Sequence, residues 1–191
     1  QQALVPMAHR NGRRLWIEVH RTAVRDAHGR LESLVSMCLD VTERQDMLTM
    51  LNQSEARFRG IFNQAAVGIA LLDADGRWLN VNDKLCEMLG YPLDELLTLD
   101  FQRVTHADDL KRDLDLARAV IERRIDHYRL EKRYVRRDGS TFWALLYVRR
   151  LDTGPELPAR FVSVVDDISD RKSAEARLAA LNTDLEAQVA Q

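Results

Sequence analysis

Arg137-Asp138-Gly139, Trp143 and Asp167-Ile168-Ser169-Asp170-Arg171 restate, in order, Arg10-Asn11-Gly12, Trp16 and Asp40-Val41-Thr42-Glu43-Arg44. The register holds from end to end: Gly139 stands 127 residues after Gly12, and Asp167 stands 127 after Asp40. One spacing kept through a turn glycine, a tryptophan and an Asp-[Val/Ile]-[Thr/Ser]-acid-Arg terminus marks tandem modules. Residues 1–44 hold only the last part of the first module, whereas the second reads as whole.

Between the two copies the pattern builds an α+β domain. Val67 to Leu72 reads as a buried strand, Asp73-Ala74-Asp75-Gly76 as a hairpin turn, and Trp78 to Val81 as the return strand. Short helical pieces follow at Asp83–Leu89 and Leu93–Leu97, then a longer one from about Ala107 to Arg123, with Thr105 as its N-cap. Three strands close the module, at Asp126–Arg136, Thr141–Leu151 and Arg160–Val165, separated by Asp138-Gly139 and Gly154-Pro155. Two strands, several helices and three strands give one antiparallel sheet with the helices on one side. The first 44 residues read as two strands, around 13–24 and 34–39, which need a covering surface because two strands alone are marginal in water. The linker helix, the complete domain or a partner's sheet edge would supply one.

Helices flank the domain. Thr42 and Gln45 form a capping box that starts a helix near Glu43, and Leu48, Leu51, Glu55 and Phe58 space along it with Val41 a heptad before Leu48. That seam fits a short coiled coil and an amphipathic linker equally. The last helix starts at Ser169 and repeats Ala174, Leu178, Leu181, Leu185 and Gln188 at 4-3-4-3, a stripe too narrow for a surface helix. A parallel homodimer through Ala174, Leu178, Leu181 and Leu185 is the expected use.

Composition narrows the function. Of the 191 residues, 46% are hydrophobic and 30% charged, with a net charge of −2. That balance gives no case for nucleic acid or an anionic membrane surface. Lys111-Arg112, Arg123-Arg124, Arg136-Arg137 and Arg149-Arg150 are pairs on solvated faces, not a track. The longest apolar run, Ala65 to Leu72, is far short of the ~20 residues a membrane helix needs. Cys38 and Cys86 have no motif spacing, so a reducing, cytoplasmic setting is expected. With no leader segment, the sequence reads as an internal piece of a longer protein.

In sequence order, Ser54 to Ile69, Asn80 to Tyr91, Thr105-His106-Ala107-Asp108-Asp109, Glu131 to Gly139 and Asp167 to Lys172 resemble the successive motifs of the PAS sensor domain with its C-terminal PAC motif. The likeness runs over about 54–172, and residues 1–44 resemble the tail of a preceding PAS domain. It implies a five-stranded antiparallel sheet in the order 2-1-5-4-3, helices enclosing a pocket over one face, and flanking linker and coiled-coil helices. The implied division is a PAC remnant at 1–44, a linker helix at 45–60, a complete PAS/PAC domain at 61–170 and a signalling helix at 171–191. It also implies that a change in the core passes through the last strand into a dimeric helix, with Asp167, Ile168, Ser169 and Arg171 as the coupling residues. Asp167 would hold the turn through local amides and Ser169 would cap the helix. Trp78, Phe101, Leu146, Trp143 and Phe161 are candidates for the pocket wall.

Chemistry inside the chain is largely absent from its motifs. Asp73-x-Asp75-Gly76 is no calcium loop, because its twelfth position is Lys84. His106-Ala107-Asp108-Asp109 reads as helix capping instead of a metal site. Glycines are scattered and no nucleophile elbow occurs, so no catalytic residue is assigned. A flavin-photoadduct cysteine is missing from Leu97–Arg103. A haem would need His106 or His127, neither well placed, so no cofactor is expected, with a non-covalent flavin or haem as lesser possibilities and a small-molecule ligand unidentified. The C-terminal residues Arg177 to Val189 resemble the helix leading into histidine-kinase dimerisation domains. The expected parent is a two-component sensor histidine kinase with a covalently linked output domain. The alternatives are a cyclic-di-GMP synthase or phosphodiesterase, and a ligand-free dimerisation scaffold.

Overall fold

The structure, a computed structural model, describes residues 2–151, 158 and 160–189, with side chains described through residue 183. The Gly154-Pro155 turn lies outside the described residues. The chain divides into two units, Gln1–Arg59 and Gly60–Gln191.

The first unit is a three-stranded antiparallel sheet, β1 (Gln2–Ala8), β2 (Arg14–Arg25) and β3 (Leu31–Asp40), in the order β1-β2-β3. The helix α1 (Thr42–Asn63) begins here. The sequence reading of two strands therefore missed β1. Pro6 removes a ladder donor and argues against a strand, but β1 is an edge strand, where proline is tolerated. The unit reproduces the last three strands of the second unit residue for residue. Pro6 pairs with Trp16 as Arg133 pairs with Trp143, and Ile17 with Asp40 as Ala144 with Asp167. The 127-residue repeat is thus a repeat of strand register.

The second unit runs β4 (Gly68–Asp73), β5 (Trp78–Val81), α2 (Asp83–Leu89), α3 (Leu93–Leu96), α4 (Ala107–Ile121), β6 (His127–Val135), β7 (Thr141–Leu151), β8 (Arg160–Asp167) and α5 (Ser169–Val189). Its sheet has the order β5-β4-β8-β7-β6, all pairs antiparallel, which is 2-1-5-4-3 counted within the unit. Period-two alternation puts Ala70, Tyr128, Leu130, Tyr134, Leu146, Val148, Phe161 and Val165 on the inner face. Leu85 and Leu89 of α2, Leu96 of α3 and Val120 of α4 pack into the same buried cluster. The fold is the expected α+β sheet with helices on one face, and β8 runs two residues further than its apolar run, to Asp167.

Asn82 locks the start of the module. Its buried side-chain oxygen accepts the N–H groups of Ile69 and Leu85, and its amide donates to the Phe62 and Val67 carbonyls. Every polar atom of the side chain is used, so a fully buried amide holds α2 against β4 without penalty. At the β4–β5 turn, Asp73 accepts the amides of Asp75 and Arg77, which is hairpin chemistry and leaves the calcium-loop pattern with a local explanation.

Candidate functional site

A cavity of about 330 Å³ lies between α4, the β4–β5 turn and the inner face of the sheet. Its apolar wall includes Leu72, Trp78, Phe101, Val120, Leu146 and Phe161. Phe101 reaches the wall because the loop after α3 bonds back to the turn, Phe101 N–H to Gly76 C=O at 3.1 Å. A volume of this order is at the lower end for small-molecule sites.

One end of the cavity is polar. The Lys132 ammonium, with no exposed side-chain surface, donates to Asp113 Oδ2 at 2.5 Å and to Thr105 Oγ1 at 2.8 Å. Tyr128 donates its hydroxyl proton to Asp113 Oδ1 at 2.7 Å. The Tyr134 ring centroid lies 4.1 Å from Lys132 Nζ and takes up its remaining face as a cation–π contact. Burial pushes the Lys132 pKa down, opposed by the neighbouring Asp113 charge. Burial and the same carboxylate hold the Tyr128 and Tyr134 phenols well above the ordinary tyrosine range, so both stay protonated. Opposite charges, each hydrogen-bonded, cancel inside the wall. By contrast two of the residues lining the cavity, Trp78 and Ser163, each carry a buried polar atom, Nε1 and Oγ, that finds no partner among the described residues.

The second feature is the joint between β8 and α5. Ile168 N–H donates to Trp143 C=O at 2.9 Å, and Trp143 N–H donates to Ser169 Oγ at 3.2 Å. Asp167 Oδ1 accepts the Ser169 amide at 2.9 Å. Ser169 therefore does not cap the helix in the expected sense; its hydroxyl ties α5 to the neighbouring strand β7. The first copy is built alike: Val41 N–H to Trp16 C=O, Trp16 N–H to Thr42 Oγ1, and the Thr42 amide to Asp40 Oδ1. Thr42 thus bonds to Trp16 in place of a capping box with Gln45, and buried Val41 belongs to this joint, not to a helical seam. The second copy adds an ionic clamp: Glu131 of β6 holds Arg171 and Lys172 at 2.6 Å each. Lys172 first, then Arg171, pushes the Glu131 carboxyl down to about 2 by hydrogen bonding.

Of the pocket candidates, Trp78, Phe101, Leu146 and Phe161 line the cavity and Trp143 does not. Trp143 is three residues before Leu146, and odd spacing on a strand means opposite faces. Its ring sits on the outer face near Arg133 and Lys172, at 5.4 and 5.3 Å. Thr105 is not the α4 N-cap; His106 is, accepting the Asp108 amide, while Thr105 donates to Phe101 C=O and receives Lys132. His127 makes a tilted ring contact with Tyr147, and neither His106 nor His127 is among the residues lining the cavity. Ala174, Leu178 and Leu181 are all exposed along α5, and the Leu185 and Gln188 side chains lie outside the described residues. The sequence reading missed Lys132 and Asp113. Lys132 shares strand parity with Leu130 and Tyr134, and Asp113 lies at helical spacing from Leu116, Ala117 and Val120; a charge on each apolar face was the available signal.

Among the described residues no helix is long and apolar enough to cross a membrane. A family model described as PAS fold matches residues 56–168, and a second, described as PAS domain, matches residues 6–43. The chain is 38% identical over 125 residues, 65% of its length, to the probable diguanylate cyclase DgcE of Escherichia coli. It is 27% identical over 135 residues, 71% of its length, to the sensor histidine kinase TmoS of Ectopseudomonas mendocina. It spans only 11% and 14% of those two proteins. A crystal structure of the PAS domain of an HTR-like protein from Haloarcula marismortui superposes with a TM-score of 0.54 at 27% identity, covering 65% of this chain and 99% of that one. With its sheet order, its one-sided helices and a matching family model over most of its length, the chain belongs to the PAS family.

Proposed function

We propose that this chain is the sensing and coupling segment of a larger signalling protein, in which a change in the cavity moves β8 and, through the joint, α5. The observation that carries this reading is the continuity at residues 167–169. β8 passes into α5 with only Ile168 between the two elements, and side-chain and backbone bonds to Trp143 fasten that point to the sheet. Ser163 and Phe161 face the cavity from β8 itself, so an occupant presses on the strand that drives the joint. Two packed helices with discrete arrangements convert such a shift into a change of register.

The output follows α5 through a homodimer seam at Ala174, Leu178, Leu181 and Leu185. Leu178 and Leu181 are 63% and 58% exposed in the single chain, and a second copy is the partner that their 4-3 spacing suits. Residues 1–44 are the PAC end of a preceding PAS domain, residues 45–60 the linker, and 61–170 the complete module. The expected parent is a sensor histidine kinase, as TmoS is named. A cyclic-di-GMP enzyme is favoured by a specific observation, the 38% identity to a protein named a diguanylate cyclase. The dimer tests the reading directly. Light scattering should give a dimer for the whole chain and a monomer for a chain ending at Ser169; equal dimerisation of both would remove α5 as the coupling element.

A further inference from the structure

We infer that the cavity takes an uncharged, ring-bearing molecule whose polar head offers a hydrogen-bond acceptor to Trp78 Nε1 and a partner to Ser163 Oγ. The inference rests on the sensing role proposed for the cavity and names the chemistry it reads.

The first argument is charge. A buried lysine in a cavity invites an anionic ligand, but Lys132 has no capacity left. Its three donors meet Asp113, Thr105 and the Tyr134 ring, and both Asp113 oxygens are occupied, by Lys132 and Tyr128. The cluster is neutral and satisfied before any ligand enters. A carboxylate or ammonium brought in would be desolvated against a cancelled charge, which is strongly unfavourable. A neutral molecule meets no such penalty.

The second argument is the two orphaned atoms. Trp78 and Ser163 are each only 3% exposed, so water does not satisfy them from outside. An indole N–H is a donor only, and a serine hydroxyl both donates and accepts. Leaving such groups unpaired in an apolar wall is unfavourable, and a ligand that pairs them recovers that energy. Trp78 stands on β5 and Ser163 on β8, with Leu72 and Ala70 of β4 between them, so the two polar groups are set into one apolar inner face.

The third argument is shape. Trp78, Phe101 and Phe161 present three aromatic side chains to the same space, which suits a flat ring over a flexible chain.

Benzamide, benzoate and benzamidinium share one ring and one planar head but differ in charge, so they separate the alternatives. The readout is the Trp78 indole N–H resonance of the whole chain, assigned by Trp78→Phe. Benzamide should shift it saturably, with benzoate and benzamidinium weaker by about ten-fold or more, the ratio expected when one uncompensated charge is buried. Ser163→Ala, which leaves packing nearly unchanged, should weaken benzamide by about five-fold, the effect of one lost hydrogen bond. Benzoate or benzamidinium binding as tightly as benzamide would overturn the neutral class while leaving the cavity a sensing site. Benzamide affinity unchanged by Ser163→Ala would overturn the role of the orphaned pair. No shift with any of the three would overturn both this inference and the cavity's sensing role.

Discussion

Gly76 and Gly139 have nearly the same backbone, φ +82° and +83°, in turns that only glycine enters without strain. They differ in what a side chain would meet. A Cβ at Gly76 would stand 2.5 Å from the Phe101 ring, whereas one at Gly139 would meet nothing within 4 Å. Gly139→Ala should therefore destabilise by the backbone term alone, about 1–2 kcal/mol. Gly76→Ala should lose more and disturb the cavity mouth, as urea denaturation of both variants would show. The buried pair behaves by a related logic. Asp113→Leu leaves the buried Lys132 without its counter-charge, at a loss of about 3–5 kcal/mol, while adding Lys132→Met should restore much of it. Equal stability of the single and double variants would show that the two residues do not act as a pair. At this scale the sequence was only partly legible. Trp78, Phe101, Leu146 and Phe161 could be named as wall residues from their type and position, but pairing Lys132 with Asp113 needs a strand and a helix brought together in space, which no local pattern encodes.

The proposed coupling belongs to the elements. Trp143 N–H and Ser169 Oγ join β7 to α5, and the same bond joins Trp16 to Thr42 in the first copy. Ser169→Ala strands a part-buried amide and should destabilise by about 1–3 kcal/mol, with Ser169→Thr restoring it, since Thr42 performs the same task in the other copy. The clamp is separable by pH. Glu131 in the folded chain titrates at about 2, against an ordinary value of 4.5, because Lys172 and Arg171 favour its charged form. Its contribution is then complete above about pH 4.5 and fades as pH falls toward 2. Thermal melts of wild type and Glu131→Gln should differ at neutral pH and converge at the acid end. A difference independent of pH would assign the effect to packing. The exposed setting keeps it small and sensitive to salt. Most elements were readable before the structure: β7 and α2 fall where turn signals bound them. The misses have physical causes. Pro6 hid β1, Trp143 stands at odd spacing from Leu146 and so on the opposite face of β7, and β8 continues through polar residues past its apolar run to Asp167.

At the level of the whole chain, the repeat is a repeat of the output end of a PAS module: three strands, a joint and a helix, present twice at one register. Val5 and Leu34 stand in the first copy where Lys132 and Phe161 line the cavity of the second, while the joint residues Asp40, Val41 and Thr42 correspond to Asp167, Ile168 and Ser169. The central claim is that a change inside the cavity reaches α5 through Trp143 and Ser169. A spin label at position 176, an exposed site off the seam, introduced as Ala176→Cys with Cys38→Ser and Cys86→Ala, reports the distance between the two α5 helices of the proposed dimer. Ser163→Leu places bulk on β8 inside the cavity and stands in for an occupant. The account predicts that Ser163→Leu changes the distance distribution, and that adding Ser169→Ala abolishes the change. An unchanged distribution in Ser163→Leu, or a change that survives Ser169→Ala, would contradict it.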